Sequence, residues 1–472
     1  MAFLRNTKNK MLNYSLLTKP TSPFYELPSI DKNNNFFELK HLRASDIVET
    51  TRWWVYINNI EINREIGWKI HVSATLNNAR EVLNLAGQVC LEMGVPFKYI
   101  PTIEEFRARN SKYADLASAG KFITVYPEEC NFDEVSYKLR DKLKGYNGPV
   151  ITTDIPSGDA PVYYRYGQFI DRSRVGQWGD VLAGAYDKNG QWTADERKFV
   201  TIESINDYIP RSVALAYKDL TDNDLELPFD PVNVLHRSNA GGVYEAYYKG
   251  ERSVVKEARP YAGLDGAGNY GILRLRNEWR AIKALNNVPG VVKGIDLFEF
   301  SEHQFLVEEY IPGDDLYQFC AKRYPFYGDN KINTYFNEVI EIIEKSFDVL
   351  QKIHEQNVFL NDVHVRNIKL DESNNPRFID LESATFSGID KEHPIATPGA
   401  YLPHILESCE YDRSGLALAL LHMLHPSTPL SHRDPNVNKK RLYIIGETFG
   451  QRAAAKVREL ISLISPQVQA TI

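Results

Sequence analysis

Short runs in which apolar residues alternate with polar ones, TRWWVYIN, GWKIHVSAT, KFITVYP, GPVITTDI and VYYRYGQFI, punctuate residues 51–170 and predict β-strands. Between them, LNNAREVLNLAGQVCLEMG carries apolar residues three and four apart, the period of an amphipathic helix. Asn189-Gly190 in DKNGQW lies between apolar-rich arms and predicts a hairpin turn. The first half therefore reads as an α+β or α/β domain. From Asp219 to Val232 the acidic, proline-bearing DLTDNDLELPFDPV breaks the pattern, and the main boundary is expected there. Strands resume in VLHRSNAGGVYEAYY and ERSVVKEAR, followed by a helix with Leu275, Trp279, Ile282 and Leu285 on one side. After further strands, a long helix from about Asn333 to Glu355 places Phe336, Val339, Ile340, Ile343, Phe347, Leu350 and Ile353 on one stripe. The expected organisation is an α+β multidomain chain: residues 1–218, then a bilobal unit, 219–472, with a small lobe over about 219–312 and a large lobe over about 313–472.

Composition narrows the classes. With 472 residues, 43% hydrophobic and 25% charged, the chain is expected to be globular, and its formal charge of -7 argues against a nucleic-acid binder or a polybasic membrane protein. The N-terminal MAFLRNTKNKMLNYSLLTKP is interrupted by charges before any apolar run reaches signal-peptide length, and no membrane-spanning run follows. A cytoplasmic protein, free or as a homo-oligomer, is the expectation. Cys90, Cys130, Cys320 and Cys409 stand singly, without the paired spacing of a zinc site or disulfide framework.

Candidate phosphotransfer chemistry is confined to the second half. Ser238-Asn239-Ala240-Gly241-Gly242-Val243 lies between two strands, where Gly241 and Gly242 would let backbone amides approach a phosphate. Lys256 sits one strand later and needs a carboxylate if buried; Glu278 on the following helix is the candidate. Asp362, Asn367 and Asp380 follow at intervals of five and thirteen, the spacing of a protein-kinase catalytic-loop Asp, its metal-binding Asn and the metal-binding Asp of the DFG position. On this reading Asp362 orients the attacking hydroxyl, Asn367 and Asp380 hold Mg²⁺ by oxygen, and ATP or another NTP is the donor. FLVEEYIPG, containing Glu309, is the expected adenine-bearing hinge, reading through backbone groups.

In the first half, strand alternation puts Lys69 and His71 on one face. Lys98, Arg165 and Lys121 add cations in neighbouring strands, and the group as a whole calls for an anion.

VLHRSNAGGVYEA, SVVKEARPYAGLDG, RLRNEWRAIKAL, FLVEEYIPGDDL and TPGAYLP together resemble the kinase domain of class III and class IV lanthipeptide synthetases, over about Asp219–Arg441. KIH, the later FK and YRYG look like the N-terminal lyase domain of the same enzymes, itself similar to bacterial effector phosphothreonine lyases, over about residues 40–215. The resemblance implies phosphorylation of Ser and Thr in a ribosomal precursor peptide with a leader, then β-elimination of phosphate to an alkene. It assigns the base to Lys98; the needs of that reaction then make Lys69 the candidate cation at the carbonyl oxygen, His71 the leaving-group donor and Arg165 a phosphate contact, with Lys121 carried from a further set, Arg107, Arg109, Tyr113 and Lys121, among which spacing does not choose. Leu360-Asn361 stands where His-Arg precedes the kinase Asp, Asp380-Leu381-Glu382 replaces Asp-Phe-Gly, and Ser238 replaces the first loop glycine. The class III members carry a further cyclase-like domain, and ring closure is not expected from this chain. The competing reading is a regulatory pseudokinase with an N-terminal phosphopeptide-binding module; a small-molecule kinase would leave Lys69, His71 and Lys98 without a task.

Overall fold

A computed structural model describes residues 36–472 apart from 41, 44–45, 52, 59–64, 171, 188, 196–197, 200, 206, 223–225, 266–267, 326–330, 387–406 and 428–433. The TPGAYLP motif lies outside the described residues.

Seven strands of the first half form one sheet: β1 (Ile47–Thr50), β2 (Val55–Ile57), β3 (Ile66–Val72), β4 (Phe97–Tyr99), β5 (Ile123–Val125), β6 (Ile155–Pro156) and β7 (Val162–Gln168). Their order is β1-β2-β4-β5-β3-β7-β6, and every pairing is antiparallel. Helix α1 (Ala79–Glu92) turns Val82, Leu83, Ala86, Val89 and Cys90 into the core beside Ile70, Val72, Phe97 and Ile123. Helix α2 (Ile103–Asn110) starts at Thr102, whose hydroxyl accepts from the Glu105 amide. Helices α3 (Phe132–Leu143) and α4 (Arg211–Asp222) complete this layer. Two small hairpins, Arg174–Val175 with Val181–Leu182 and Gly184–Tyr186 with Trp192–Ala194, follow β7. The second contains the predicted turn, with Gly190 at φ 74°.

Two expectations shift. GPVITTDI is a strand only at its last residue, Ile155; Ile151 to Asp154 form a turn closed by the Asp154 amide on the Ile151 carbonyl. Gly148 packs so tightly on Ser73 and Ala74 that the chain here follows β3's end as irregular backbone, and this turn delivers Thr153 and Asp154 to the sheet face. Asp219 to Asp222, expected in the boundary loop, are the last turn of α4.

The second sheet has the order β8-β9-β10-β12-β11, all antiparallel, built from β8 (Asp230–Arg237), β9 (Gly242–Tyr248), β10 (Glu251–Ala258), β11 (Gly294–Phe300) and β12 (His303–Glu309). Helix α5 (Gly271–Ala284) packs on it. Beyond it lie α6 (Leu316–Arg323), α7 (Ile332–Glu355), the two-stranded β13 (Ile368–Leu370) and β14 (Pro376–Phe378), and the helices α8 (Ser408–Leu424), α9 (Val437–Phe449) and α10 (Gln451–Ile464). The stripe predicted on α7 is buried at Val339, Ile340, Ile343, Phe347, Leu350 and Ile353, against the largely buried α8. Each fully buried aliphatic side chain there is worth about 1.5–3 kcal/mol. Among the described residues no helix is long and apolar enough to cross a membrane.

The segment joining β10 to α5 crosses between the sheets. Leu264, 2% exposed, belongs to the first sheet's core, and its amide donates to the Asn110 carbonyl at 2.8 Å. Tyr270 joins the halves just as directly: its hydroxyl oxygen accepts from the Leu76 amide at 3.1 Å.

Candidate active sites

On the first sheet, the register sets Tyr56, Lys98, Thr124, His71 and Tyr163 side by side across β2, β4, β5, β3 and β7. Two positions along β3, Lys69 pairs with Arg165. Residues paired directly share a face, so Lys69, His71, Lys98 and Arg165 converge; Lys98 and His71 are two strands apart, about 10 Å between backbones. Lys121 reaches the same place from the start of β5: its Nζ donates to Thr153 Oγ1 at 3.1 Å and pairs with Asp154 Oδ1 at 3.3 Å.

Two acids tie these cations. His71 Nδ1–H donates to Asp154, and Arg165 pairs with Asp195 at 2.9 Å and donates to the Thr153 carbonyl at 3.0 Å. Burial alone would raise the Asp154 carboxyl, but His71 and Lys121 outweigh it and hold it ionised. Burial, with Lys121 and Lys69, pushes His71 down to about 3 against the opposing Asp154, so the imidazole is neutral at rest. Lys69 is held well below the usual lysine value by burial and then by Lys98, Lys121 and Arg165; its Nζ donates to the Gln168 carbonyl at 2.8 Å. Lys98 lies 4.5 Å from the Trp54 ring centroid, 5.5 Å from Tyr56 and 5.8 Å from Tyr126. Four cationic side chains against two carboxylates make a face suited to a dianion.

A pH consequence follows from His71. Between about pH 6.5 and about pH 3 the unfolded chain binds a proton there that the folded chain does not, so stability is full above 6.5 and falls as the pH drops toward 3. The slope is at most about 1.4 kcal/mol per pH unit for this group. Urea midpoints measured across that range should fall in the parent chain and fall less steeply in His71→Gln.

The second site lies between the second sheet and the helices below it. Lys256 on β10 contacts Glu278 Oε1 on α5 at 2.6 Å, Glu308 Oε1 on β12 at 3.2 Å and Asp380 Oδ1 at 3.9 Å. Burial works against its ammonium, yet the three carboxylates outweigh that and hold its pKa well above the usual value. Burial raises the Glu308 carboxyl, and Asp380 adds to the effect. Glu278 also accepts from the Leu381 amide at 2.9 Å, which links α5 to the backbone beside Asp380.

Asp362 and Asn367 face each other: the Asn367 side-chain amide donates to the Asp362 carbonyl at 3.0 Å and its carboxylate at 3.3 Å. That turns the Asn367 Oδ1 away from Asp362. Asp380 adopts φ 61°, a left-handed conformation that aims its carboxylate out of the strand path after β14. Burial would raise it, but Lys256 and Lys112 hold it ionised. An ionised Asp and an amide oxygen fit an octahedral cation completed by phosphate and water oxygens. Among the described residues no group of three or more His, Cys, Asp and Glu side chains could hold a metal.

Gly241 is required sterically, because a Cβ there would run into the Glu257 carbonyl of the adjacent strand. Glu309, expected at the hinge, turns its carboxylate to the Lys293 amide at 2.8 Å and to Arg377, leaving nucleotide contact there to the backbone. Arg259 donates to the Ser238 carbonyl at 2.8 Å and so braces the glycine loop from below.

Several functional groups escaped the sequence reading. Asp154 and Asp195 lie outside regular strands. Glu308 follows the apolar Phe305-Leu306-Val307 run of β12, and only its burial, at 3% exposure, marks it. Asp412 on α8 accepts from the Leu360 amide at 2.7 Å, the Asn361 amide at 2.6 Å and His354 at 2.9 Å, fixing the backbone before Asp362. Asn361 in turn donates to the Ser383 carbonyl at 3.1 Å and Thr385 Oγ1 at 2.9 Å, so a short neutral side chain joins the Asp362 loop to the segment after Asp380.

This arrangement, a five-stranded lobe with a Lys–Glu pair above an Asp–Asn–Asp set, defines a protein kinase domain, and residues 235–465 match the family described as protein kinase domain. Residues 38–204 match the family described as RamC, N-terminal domain. The chain thus joins a RamC N-terminal domain to a protein kinase domain, as its resemblance to class III lanthipeptide synthetases implied. It is a homologue of the probable SapB synthase of Streptomyces coelicolor, 32% identical over 393 residues, which cover 81% of this chain and 42% of that protein. A probable serine/threonine-protein kinase KIN1 homolog of Enterocytozoon bieneusi is 28% identical over 109 residues, 23% of this chain and 17% of that protein. The chain therefore spans under half the length of either relative. A protein kinase domain calls for ATP and a divalent cation.

Proposed function

We propose that the chain is a bifunctional precursor-peptide dehydratase of lanthipeptide biosynthesis, acting in the cytoplasm on a ribosomal peptide with a leader. Residues 219–472 transfer phosphate from ATP to a Ser or Thr hydroxyl, and residues 1–218 expel that phosphate. The observation that carries the reading is the cationic face of the first sheet, Lys69, Lys98, Lys121 and Arg165 around a buried His71–Asp154 pair, in a chain whose other half can make a phosphoester.

In the transfer half, Asp362 accepts and orients the hydroxyl proton, Lys256 held by Glu278 meets the α- and β-phosphates, and amides near Gly241 and Gly242 cover the phosphates. Asn367 and Asp380 would hold Mg²⁺, which supplies charge neutralisation at the phosphates when bound. In the elimination half, Arg165 and Lys121 hold the phosphate dianion. Its charge raises the His71 pKa, so that His71 gains a proton and donates it to the leaving oxygen, while Asp154 fixes the ring. Lys98 takes the Cα proton; the C–H electron pair becomes the Cα–Cβ double bond as the Cβ–O bond breaks, and Lys69 neutralises the developing enolate oxygen. The products are dehydroalanine or dehydrobutyrine and phosphate.

One observation favours a variant in which Lys69 and Lys98 exchange roles. The strongly lowered pKa belongs to Lys69, whereas three aromatic rings surround the Lys98 ammonium and favour its charge.

Mass spectrometry of a Ser/Thr-rich peptide incubated with Mg-ATP and the chain tests the whole. Loss of water, through a transient phosphate gain, is expected. Stable phosphate gain without elimination would reduce the first half to a phosphopeptide-binding module, and an unchanged peptide would overturn both activities.

A further inference from the structure

The N-terminal half sends Lys112 into the kinase cleft. Immediately after α2, Ser111 to Tyr113 leave the first sheet's layer and run between β10's outgoing segment and the loop joining β8 to β9. Lys112 is gripped at three points. Its amide donates to the Leu264 carbonyl at 3.3 Å, its carbonyl accepts from the Asn239 amide of the glycine loop at 3.0 Å, and its Nζ pairs with Glu382. The Ser111 carbonyl accepts from the Asn239 side-chain amide at 3.0 Å, a second hold on the same loop.

Glu382 is two residues beyond Asp380 and occupies the position where the kinase motif has glycine. It sits between Lys112 and the Arg274 Nε of α5 at 3.3 Å, and its own backbone carbonyl accepts from Asn277 at 3.1 Å. The side chains of Lys112 and Glu382 are 17% and 14% exposed, so the pair is largely shielded from water. Lys112 thus spans the nucleotide cleft, touching the phosphate-covering loop with its backbone and the segment after Asp380 with its side chain.

We propose that Lys112 is a positioning residue of the phosphotransfer site, contributed by the RamC-type domain, so that the kinase half is competent only with the N-terminal half docked on it. The proposal rests on the kinase reading above. Lys112 fixes Glu382, Glu382 with Leu381 fixes the backbone that sets the Asp380 carboxylate, and the Asn239 contact sets the glycine loop opposite. A cation is needed because an unpaired, shielded Glu382 would repel the phosphates and shift the segment bearing Asp380. Tyr113, whose ring centroid is 5.6 Å from the Lys112 Nζ, and Arg274 are the other groups against this pair.

The test uses the full chain with Lys112→Met, which keeps the stem, and Lys112→Arg, which keeps the charge. Two readouts are taken: Mg²⁺-dependent affinity for a fluorescent ATP analogue, which needs no peptide, and ADP formation with the Ser/Thr peptide. Lys112→Met should lower kcat for ADP formation by about 10- to 100-fold, the scale of a small misplacement of catalytic groups. It should also weaken the Mg²⁺-dependent part of nucleotide affinity, with the peptide KM unchanged. Lys112→Arg should stay within about threefold of the parent in both, since the fixed charge is kept. Parent-like kcat and nucleotide affinity in Lys112→Met would overturn the proposal, and so would an Arg variant as impaired as the Met variant. If the parent chain forms no ADP with the peptide, the peptide reading fails, while the nucleotide-affinity arm still decides the role of Lys112.

Discussion

Asp362→Asn is expected to lower phosphate transfer to peptide by about 10²–10⁴-fold, the range for losing a positioned general base. The substitution is isosteric, and the loop around it is held independently by Asp412 on the Leu360 and Asn361 amides and by Asn361 on Ser383 and Thr385. The fold and nucleotide binding should therefore persist, and the loss should fall on kcat. Elimination from a chemically pre-phosphorylated peptide should proceed at the parent rate, because the cationic face of the first sheet contains none of these groups. Quantifying phosphopeptide and dehydrated peptide by mass spectrometry separates the two steps. Undiminished phosphate gain in the variant would remove Asp362 from its proposed role.

Lys98→Ala should do the reverse: phosphopeptide accumulates, dehydrated product falls by about 10²-fold or more, and ADP formation continues. Arginine substitutions then resolve which lysine is the base. A guanidinium stays protonated at any working pH, so it replaces a fixed cation but never a base. If Lys98 takes the proton, Lys98→Arg is as inactive as Lys98→Ala, whereas Lys69→Arg retains part of the elimination rate. The opposite pattern would exchange the two roles, in line with the lowered pKa of the Lys69 amine. Dehydration at the parent rate in Lys98→Ala would remove that residue from the mechanism altogether.

The departures from the kinase motif have physical explanations in the fold. Asn361, where an Arg would stand, bonds directly to the segment after Asp380, and Glu382, where a glycine would stand, is held by Arg274 and Lys112. An Arg at the first position commonly reads a phosphorylated loop; here the connection is made without added charge. The cleft's geometry is instead tied to the neighbouring RamC-type domain, a different source of order for the same loop.

What was legible in the sequence was local. Alternation placed Lys69 and His71 on one face because side chains repeat every two residues in a strand, and the intervals from Asp362 to Asn367 to Asp380 encode a loop and a short hairpin of fixed length. The helical stripe on α7 followed from a short period too, while Glu278 was the candidate partner of Lys256 because a buried ammonium needs a carboxylate. GPVITTDI misled for a related reason: Ile151 and Ile155 are buried, as a strand's would be, but by packing of an irregular turn against the end of β3 that leaves Val150 exposed. The acids carried or neighboured by such segments, Asp154 and Asp195, have no period to announce them.

By itself the sequence determined the elements, the glycine loop, the order of the phosphotransfer residues and the cations of the first sheet, since each depends on residues near one another in the chain. Only the tertiary structure decided which charges meet. Asp154 reaches His71 across 83 positions, Lys112 reaches Glu382 across 270, and Leu264 enters a core built from the other half of the chain. Such pairings are set by how sheets and helices pack. Their energies come from burial and from charge held out of water, neither of which exists in the chain until it closes on itself.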